Sequence, residues 1–203
     1  MTVIEQKPQF GVNYDVGYDG FTARQKDFIA AGIKWFSRWD ALPGTPPVSH
    51  AFKIVGEDLT IEAFWDGVRY GKLSDYLNDP DVALLVRKPK GWTPELGQRL
   101  KAEMEKHLGE KYNWTLIAAI AIANTYLGKW IDKVTKGKFS KWIEGVADRS
   151  RYDICSVCVS KTNNAMPEYQ GKGVLNNPLY DITPIMLMGD NELYEPGAIE
   201  LIP

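Results

Sequence analysis

The chain has 203 residues, a length that suits one domain. Hydrophobic residues make up 44% and charged residues 25%, and 24 basic against 26 acidic residues leave a net charge of −2. Because there is no basic surplus, nucleic-acid binding is not expected. The first residues, MTVIEQKPQFGVNYD, lack the apolar core of a signal peptide, so the expected location is the cytoplasm.

The N-terminal region is predicted to be extended or irregular at first and then helical. Residues 1–20 are rich in Gly, Asp and Tyr. Thr22 is a candidate cap for a helix that runs through Arg24 to about Trp39, because apolar residues recur there at three- and four-residue steps. The segment ALPGTPP ends this helix. Residues 1–46 are therefore predicted to be an N-terminal elaboration that contains a helix.

A series of strand-like runs follows. Val, Ile, Phe and Trp are frequent in these runs, and Gly and Asp separate them, which favours strands joined by turns. The predicted strands cover residues 48–55, 59–65, 68–70 and 82–87, with a short helix over residues 73–77.

The second half of the chain is predicted to be mainly helical. Pro94 follows Thr93 and starts a helix that runs to Leu108 and stops at Gly109. Further along, helix is expected over residues 112–134 and 155–163, a lysine-bearing connection over 136–150, and a strand over 185–188. Strands that cluster early and helices that cluster late are typical of an α+β fold.

One apolar run is similar in composition to part of a membrane span. Residues 116–123 read LIAAIAIA, and a span needs about 20 apolar residues. The run is too short, so it is interpreted as part of a buried helix. Affinity for a membrane surface is compatible with it, but nothing else in the sequence supports such contact.

The chain contains two histidines and two cysteines, and one of each occupies a position suited to thiol chemistry. His50 stands at the start of the strand-like stretch VSHAFKIV, and Cys155 stands at the start of the predicted helix in YDICSVCVS. An imidazole can accept a proton from a thiol, and the free amides of a helix start stabilise the resulting thiolate. The two residues are therefore a candidate base and nucleophile.

Glu62 is the candidate partner of the imidazole. If residues 56–58 form a three-residue turn, Glu62 lies opposite Phe52, and the side chains of His50 and Glu62 share one face of the hairpin. The two residues are then diagonal neighbours, about 7–8 Å apart at the backbone, within reach of long side chains. A carboxylate beside an imidazole holds its tautomer and favours the imidazolium.

An acyl-transfer site also needs donors for the oxyanion of a tetrahedral intermediate. Backbone amides of the first helical turn around Cys155 are the leading candidates. The other candidates for contact with substrate or oxyanion are Tyr112, Tyr152 and Ser156.

These segments together resemble a known family. The order SHAFKIV, TIEAF, YNW and YDICSVCVS is similar to the circularly permuted branch of the NlpC-type cysteine hydrolases, which includes the YiiX-like bacterial proteins and the lecithin:retinol acyltransferase group. The later NPLYDITPIML is similar to a proline-bearing segment of that family. The resemblance covers about residues 25–188 in outline and aligns Cys155 with the nucleophile, His50 with the base and Glu62 with the orienting residue.

The resemblance implies a permuted papain-like fold. In that fold an antiparallel sheet, with the histidine strand first, packs against a late helix that bears the cysteine. Residues 47–190 are then the hydrolase-like core of a single domain, and residues 191–203 are a tail. A bacterial or phage origin is also suspected from the resemblance.

The resemblance further implies a cysteine peptidase, amidase or acyl-ester hydrolase that works without a cofactor or metal. His50 accepts the proton of Cys155, the thiolate attacks a carbonyl carbon, and an acyl-enzyme forms and is then resolved by water or another acceptor. The substrate is expected to be a peptide, an amide or a lipid ester. The sequence does not discriminate among them and does not specify an oligomeric state.

Three alternatives stay open at the level of sequence. A catalytically silent papain-like module would bind without reacting. Cys155 and Cys158 form a C-x-x-C motif, which suggests a thiol–disulfide oxidoreductase, although this motif falls late in the chain and no parallel α/β pattern precedes it. Both cysteines together with His50 and His107 would supply the four ligands of a zinc site, but the two histidines lie far apart in sequence.

Overall fold

A computed structural model describes residues 3–24, 48–112, 131, 133–138, 141–142, 152–153 and 155–201. Nine strands lie in these ranges: β1 (Val3–Gln6), β2 (Asp19–Arg24), β3 (His50–Gly56), β4 (Leu59–Phe64), β5 (Gly67–Gly71), β6 (Val82–Arg87), β7 (Lys111–Tyr112), β8 (Tyr152–Asp153) and β9 (Ala198–Leu201). The α-helices described are α1 (Leu73–Leu77), α2 (Pro94–Glu105), α3 (Cys155–Asn164) and α4 (Pro184–Gly189). The protein is therefore α+β, as predicted.

Seven of the strands form one sheet in the order β1-β9-β6-β2-β3-β4-β5. Neighbouring strands are antiparallel except β1 and β9, which are parallel. β7 and β8 form a separate two-stranded parallel pair. Strands from residues 3–24 and 198–201 belong to the same sheet as β3, so the sheet extends across the predicted boundaries at residues 46 and 190.

The two faces of the sheet carry different apolar clusters. Alternate residues of a strand point to opposite faces. Ala51 and Val55 therefore join the cluster that contains residues of α2, α3 and α4, whereas Phe52 and Ile54 join a second cluster with Leu73 of α1. Because both faces of β3 are covered, its interior is buried along its whole length.

The β3–β4 hairpin differs in detail from the prediction but keeps its register. A three-residue turn was expected, and the structure has a two-residue turn at residues 57–58 with Gly56 opposite Leu59. The register shifts between Ile54 and Gly56, so Val55 is the extra residue of a β-bulge. The bulge compensates for the shorter turn, and Phe52 pairs with Glu62 as predicted.

Two predictions of secondary structure were wrong. Thr22 does not cap a helix, because it lies inside β2 and pairs with His50 and Leu84. The predicted strand at 185–188 is α4: Thr183 precedes Pro184, and its hydroxyl accepts from the Met186 N–H at 3.3 Å. This is the same Thr-Pro start that opens α2, so the helix signal was present in the sequence.

Other predictions concern residues that the structure describes only in part. α2 ends at Glu105, and residues 106–109 form a turn, three residues earlier than the predicted end at Leu108. The predicted helix over 25–39 and most of residues 112–134 and 136–150, including the run 116–123, lie outside the described residues. Within the described residues, no helix combines the length and apolarity that a membrane span requires.

Candidate active site

His50 and Glu62 form a hydrogen-bonded pair at the beginning of β3. The hairpin register puts both side chains on the face of Phe52, and His50 Nε2 lies 3.1 Å from Glu62 Oε2. The imidazole is 16% exposed, whereas the carboxylate is 4% exposed. The pair therefore combines a buried carboxylate with an imidazole that keeps partial contact with solvent.

Cys155 is the first residue of α3, a helix that packs on the other face of β3, the face of Ala51. The N-terminal end of α3 meets the beginning of β3, and there the imidazole of His50 is hydrogen-bonded to Cys155. Since Nε2 contacts Glu62, Nδ1 is the ring nitrogen left to interact with the sulfur. The three side chains thus meet around the end of a strand rather than on one sheet face.

The electrostatics of the pair favour charge separation. Burial alone lowers the pKa of His50, but hydrogen bonds to Cys155 and Glu62 raise it to about 9. Burial alone raises the pKa of Cys155, but the hydrogen bond and charge of His50 lower it below its ordinary value. Both shifts act in the direction of a thiolate beside an imidazolium.

Two backbone N–H groups also lower the pKa of Cys155 by hydrogen bonding, those of Ala51 and Ser156. The registered pairing of β3 with β4 begins at Phe52, so the N–H of Ala51 lies just beyond that ladder. The N–H of Ser156 belongs to the first turn of α3, whose amides have no partner within the helix. Both donors are suited to an anion on or next to the sulfur.

Glu62 is held by further donors that the sequence analysis missed. The hydroxyl of Tyr76 in α1 donates to Oε2, the same oxygen that accepts from His50. Arg69 lies opposite Glu62 on β5, with its Nη2 3.6 Å from Oε1, and its guanidinium covers the Phe64 ring at 4.5 Å. Burial alone raises the pKa of Glu62, but the hydrogen bond and charge of His50, the hydrogen bond of Tyr76 and the charge of Arg69 lower it.

A cross-strand signal for Arg69 was present in the sequence. A two-residue turn at residues 65–66 sets Glu62 opposite Arg69, which is an opposite-charge pair of the kind that stabilises hairpins. Tyr76 had no comparable signal, because its contact with Glu62 depends on how α1 packs on the sheet.

Gly71 provides the space that the carboxylate occupies. A Cβ on Gly71 would lie 2.6 Å from Glu62 Oε1 and 2.8 Å from Thr60 Oγ1. Real Cβ atoms do not approach other atoms so closely, so the carboxylate has this position only because residue 71 has no side chain.

The other predicted site residues occupy varied positions. Tyr112 lies on β7 and Tyr152 on β8, and Tyr112 pairs with Asp153, two residues before Cys155. The side chains of both tyrosines lie outside the described part. The hydroxyl of Ser156 donates to the carbonyl oxygen of Ile182 at 2.6 Å. Its contribution at Cys155 is therefore made by the backbone.

The remaining cysteine and histidine lie away from this pair. Cys158 is fully buried, and its sulfur contacts that of Met104 at 3.6 Å. Neither cysteine is in a disulfide. His107 follows α2 and lies 3.2 Å from Glu110, and the described residues contain no group of three or more His, Cys, Asp or Glu side chains placed to hold a metal ion.

Comparisons with protein-family models, with curated proteins and with solved structures gave no match to this chain.

Proposed function

We propose that the protein is a cysteine hydrolase with a permuted papain-like arrangement that acts on an amide, peptide or acyl-ester carbonyl. The observation that carries the proposal is the chain of hydrogen bonds from Glu62 through His50 to Cys155 at the start of α3. The order of elements supports it as well, since a histidine strand precedes a cysteine helix that packs on the same antiparallel sheet.

The proposed reaction begins from the thiolate–imidazolium pair. The sulfur of Cys155 attacks the carbonyl carbon, and the carbonyl electron pair moves to oxygen. The N–H groups of Ala51 and Ser156, which lie beside the sulfur, are the candidate donors to that oxyanion. Collapse expels the amine or alcohol, which takes the proton of His50, and a thioester to Cys155 remains.

The second half of the reaction uses the same groups in reverse. Neutral His50 accepts a proton from water as the water oxygen attacks the thioester carbon. The thiolate then leaves, and the carboxylic acid is released while the imidazolium is restored. Glu62 stabilises the imidazolium in both halves without becoming protonated.

A thiol-reactive probe tests the proposal. Labelling by a small iodoacetamide near neutral pH is expected to be fast in the wild type, lost in Cys155→Ala and retained in Cys158→Ala. The second variant is a matched control, because Cys158 lies on the same helix with its sulfur against Met104. Undiminished labelling of Cys155→Ala, or a Cys155 pKa near the unperturbed value of about 8.5, would contradict the proposal.

One observation favours a second candidate function. Cys155 is only 4% exposed, which is also what a silent papain-like binding module would show. Turnover separates the two functions. A panel of activated thioesters and esters should release product with a burst equal to the enzyme concentration if Cys155 is acylated, and a silent module should release none.

A further inference from the structure

Both carboxylate oxygens of Glu62 have a polar partner, although the proposed reaction uses only the contact with His50. Oε2 accepts from His50 at 3.1 Å and from the Tyr76 hydroxyl, and Oε1 faces Arg69 at 3.6 Å. A bare buried carboxylate is a strong proton acceptor, because low polarity disfavours its charge. Donors to a carboxylate stabilise the charged form and therefore reduce its basicity.

Tyr76 is brought to Glu62 by a short helix with its own anchors. At the start of α1, Asp58 of the β3–β4 turn accepts from the Ser74 N–H at 2.7 Å and from the Ser74 hydroxyl at 2.9 Å. Leu73, the first residue of α1, is fully buried in the apolar cluster that contains Phe52 and Ile54. The hairpin that carries His50 and Glu62 thus also fixes the position of α1.

The ring of Tyr76 is positioned by aromatic contacts, in addition to the hydrogen bond of its hydroxyl. It stacks on Phe52 with ring centroids 5.0 Å apart and an interplanar angle of 8°, and its centroid lies 6.2 Å from that of His50. Burial, and then the charge of Glu62, raise the pKa of Tyr76. The phenol therefore stays protonated and acts as a donor at every pH at which the enzyme would work.

We propose that Tyr76 is a positioning residue that fixes the Glu62 carboxylate and reduces its basicity, so that the Nε2 proton stays on His50 and the imidazolium can release its Nδ1 proton to the leaving group. This inference rests on the proposed function. Without the phenol, His50 alone would use Oε2, and the carboxylate would hold the imidazolium more tightly. Proton transfer from His50 to the leaving group would then be less favourable.

The test compares Tyr76→Phe with a matched loss of a hydroxyl. Phe keeps the stack on Phe52 and removes only the donor. Tyr70→Phe is the control, because the Tyr70 hydroxyl also donates to a glutamate, Glu105, at 3.1 Å, but on the exposed surface. The readout is NMR of ¹³C-labelled histidine titrated with pH, since the chain has two histidines and His107 serves as an internal reference.

The expected result is a His50 pKa that rises by some tenths of a pH unit in Tyr76→Phe, because the imidazolium is stabilised by a carboxylate with one donor fewer. Tyr70→Phe should leave the His50 titration unchanged, and the His107 signal should stay constant in both variants. A His50 pKa that is unchanged or lowered in Tyr76→Phe would overturn the inference.

The wild-type titration separates this inference from the function on which it rests. If wild-type His50 titrates at its ordinary value of about 6.5, the thiolate–imidazolium pair is absent and the proposed function fails. If wild-type His50 titrates well above that value while Tyr76→Phe does not move it upward, only the role of Tyr76 fails.

Discussion

Two polar clusters connect β3 to α3, and comparing them shows how a candidate functional site differs from a structural cluster. The first joins His50 to Cys155 at the beginning of the strand and of the helix. The second lies further along both elements, where Lys53 contacts Asn163 at 2.8 Å and Asp19 at 2.5 Å. Both clusters are charged, and both join the same two elements.

The difference lies in access and in closure. Lys53 and Asp19 are fully buried, and the Tyr194 hydroxyl donates to Asp19 at 2.7 Å. A substrate therefore could not contact the charged groups of this cluster. His50 is partly exposed, and its partner Cys155 is a thiol with a lowered pKa. Buried charge therefore does not mark a functional site by itself. A functional site also needs contact with solvent and a group that can still exchange a proton with a bound molecule.

The largest effect on stability is expected at the second cluster. Lys53→Met removes the cation that faces the buried Asp19 carboxyl and leaves it only the donors of Tyr194 and Asn163, which should lower the free energy of unfolding by about 3–5 kcal/mol. Lys101→Met is the control, because its 4.0 Å pair with Glu105 is partly exposed and should be worth less than about 1 kcal/mol. Urea unfolding measures both. Equal losses in the two variants would show that the buried pair is not a structural anchor.

The next effect is expected at Glu62. Glu62→Gln keeps the size of the side chain but removes the charge that stabilises the imidazolium, so hydrolysis should slow by about 10²-fold or more. The pKa of His50, which Glu62 helps to raise to about 9, should fall in this variant. The alkaline limb of the pH–reactivity profile should therefore shift to lower pH. A profile identical to that of the wild type would remove Glu62 from the site.

A smaller effect is expected when Glu62 is displaced rather than changed. Gly71→Ala forces the carboxylate away from a Cβ that would lie 2.6 Å from Oε1, which should cost about 1–3 kcal/mol of stability and lower Cys155 reactivity. Gly56→Ala is the control on the same sheet, because its added Cβ would lie 3.2 Å from that of Leu59 and away from the carboxylate. Thermal unfolding and alkylation rates should show whether Gly71→Ala affects both properties and Gly56→Ala spares reactivity.

The smallest effect is expected from Tyr194→Phe. Asp19 loses one donor but keeps Lys53 and Asn163, so the loss should be about 1–2 kcal/mol. Cys155 alkylation should be unchanged, since the cluster does not touch the site. If Cys155 reactivity fell as well, the two clusters would be coupled and the distinction between site and scaffold would not hold.

The hairpin at the site was predictable because its determinants are local. Alternating apolar residues and Gly-Asp turn chemistry set β3, β4 and β5, and the pairing of Phe52 with Glu62 held although the turn was one residue shorter than expected. The start of α3 at Cys155 was also predicted from nearby residues. The strand wrongly predicted at 185–188 shows the limit of this reasoning, because apolar residues there outweighed the Thr183–Pro184 helix start.

Local sequence determined the four strands β3 to β6 and the helices α1 to α3, the shared face of His50 and Glu62, and the position of Cys155 at a helix start. The tertiary structure alone decided that α3 packs on β3, that α1 brings Tyr76 to Glu62, and that Lys53 is buried against a residue 110 positions away. The physical reason is the range of the interactions. Hydrogen bonds and side-chain alternation within a hairpin act over a few residues, whereas the packing that assembles the triad depends on apolar surface from distant parts of the chain.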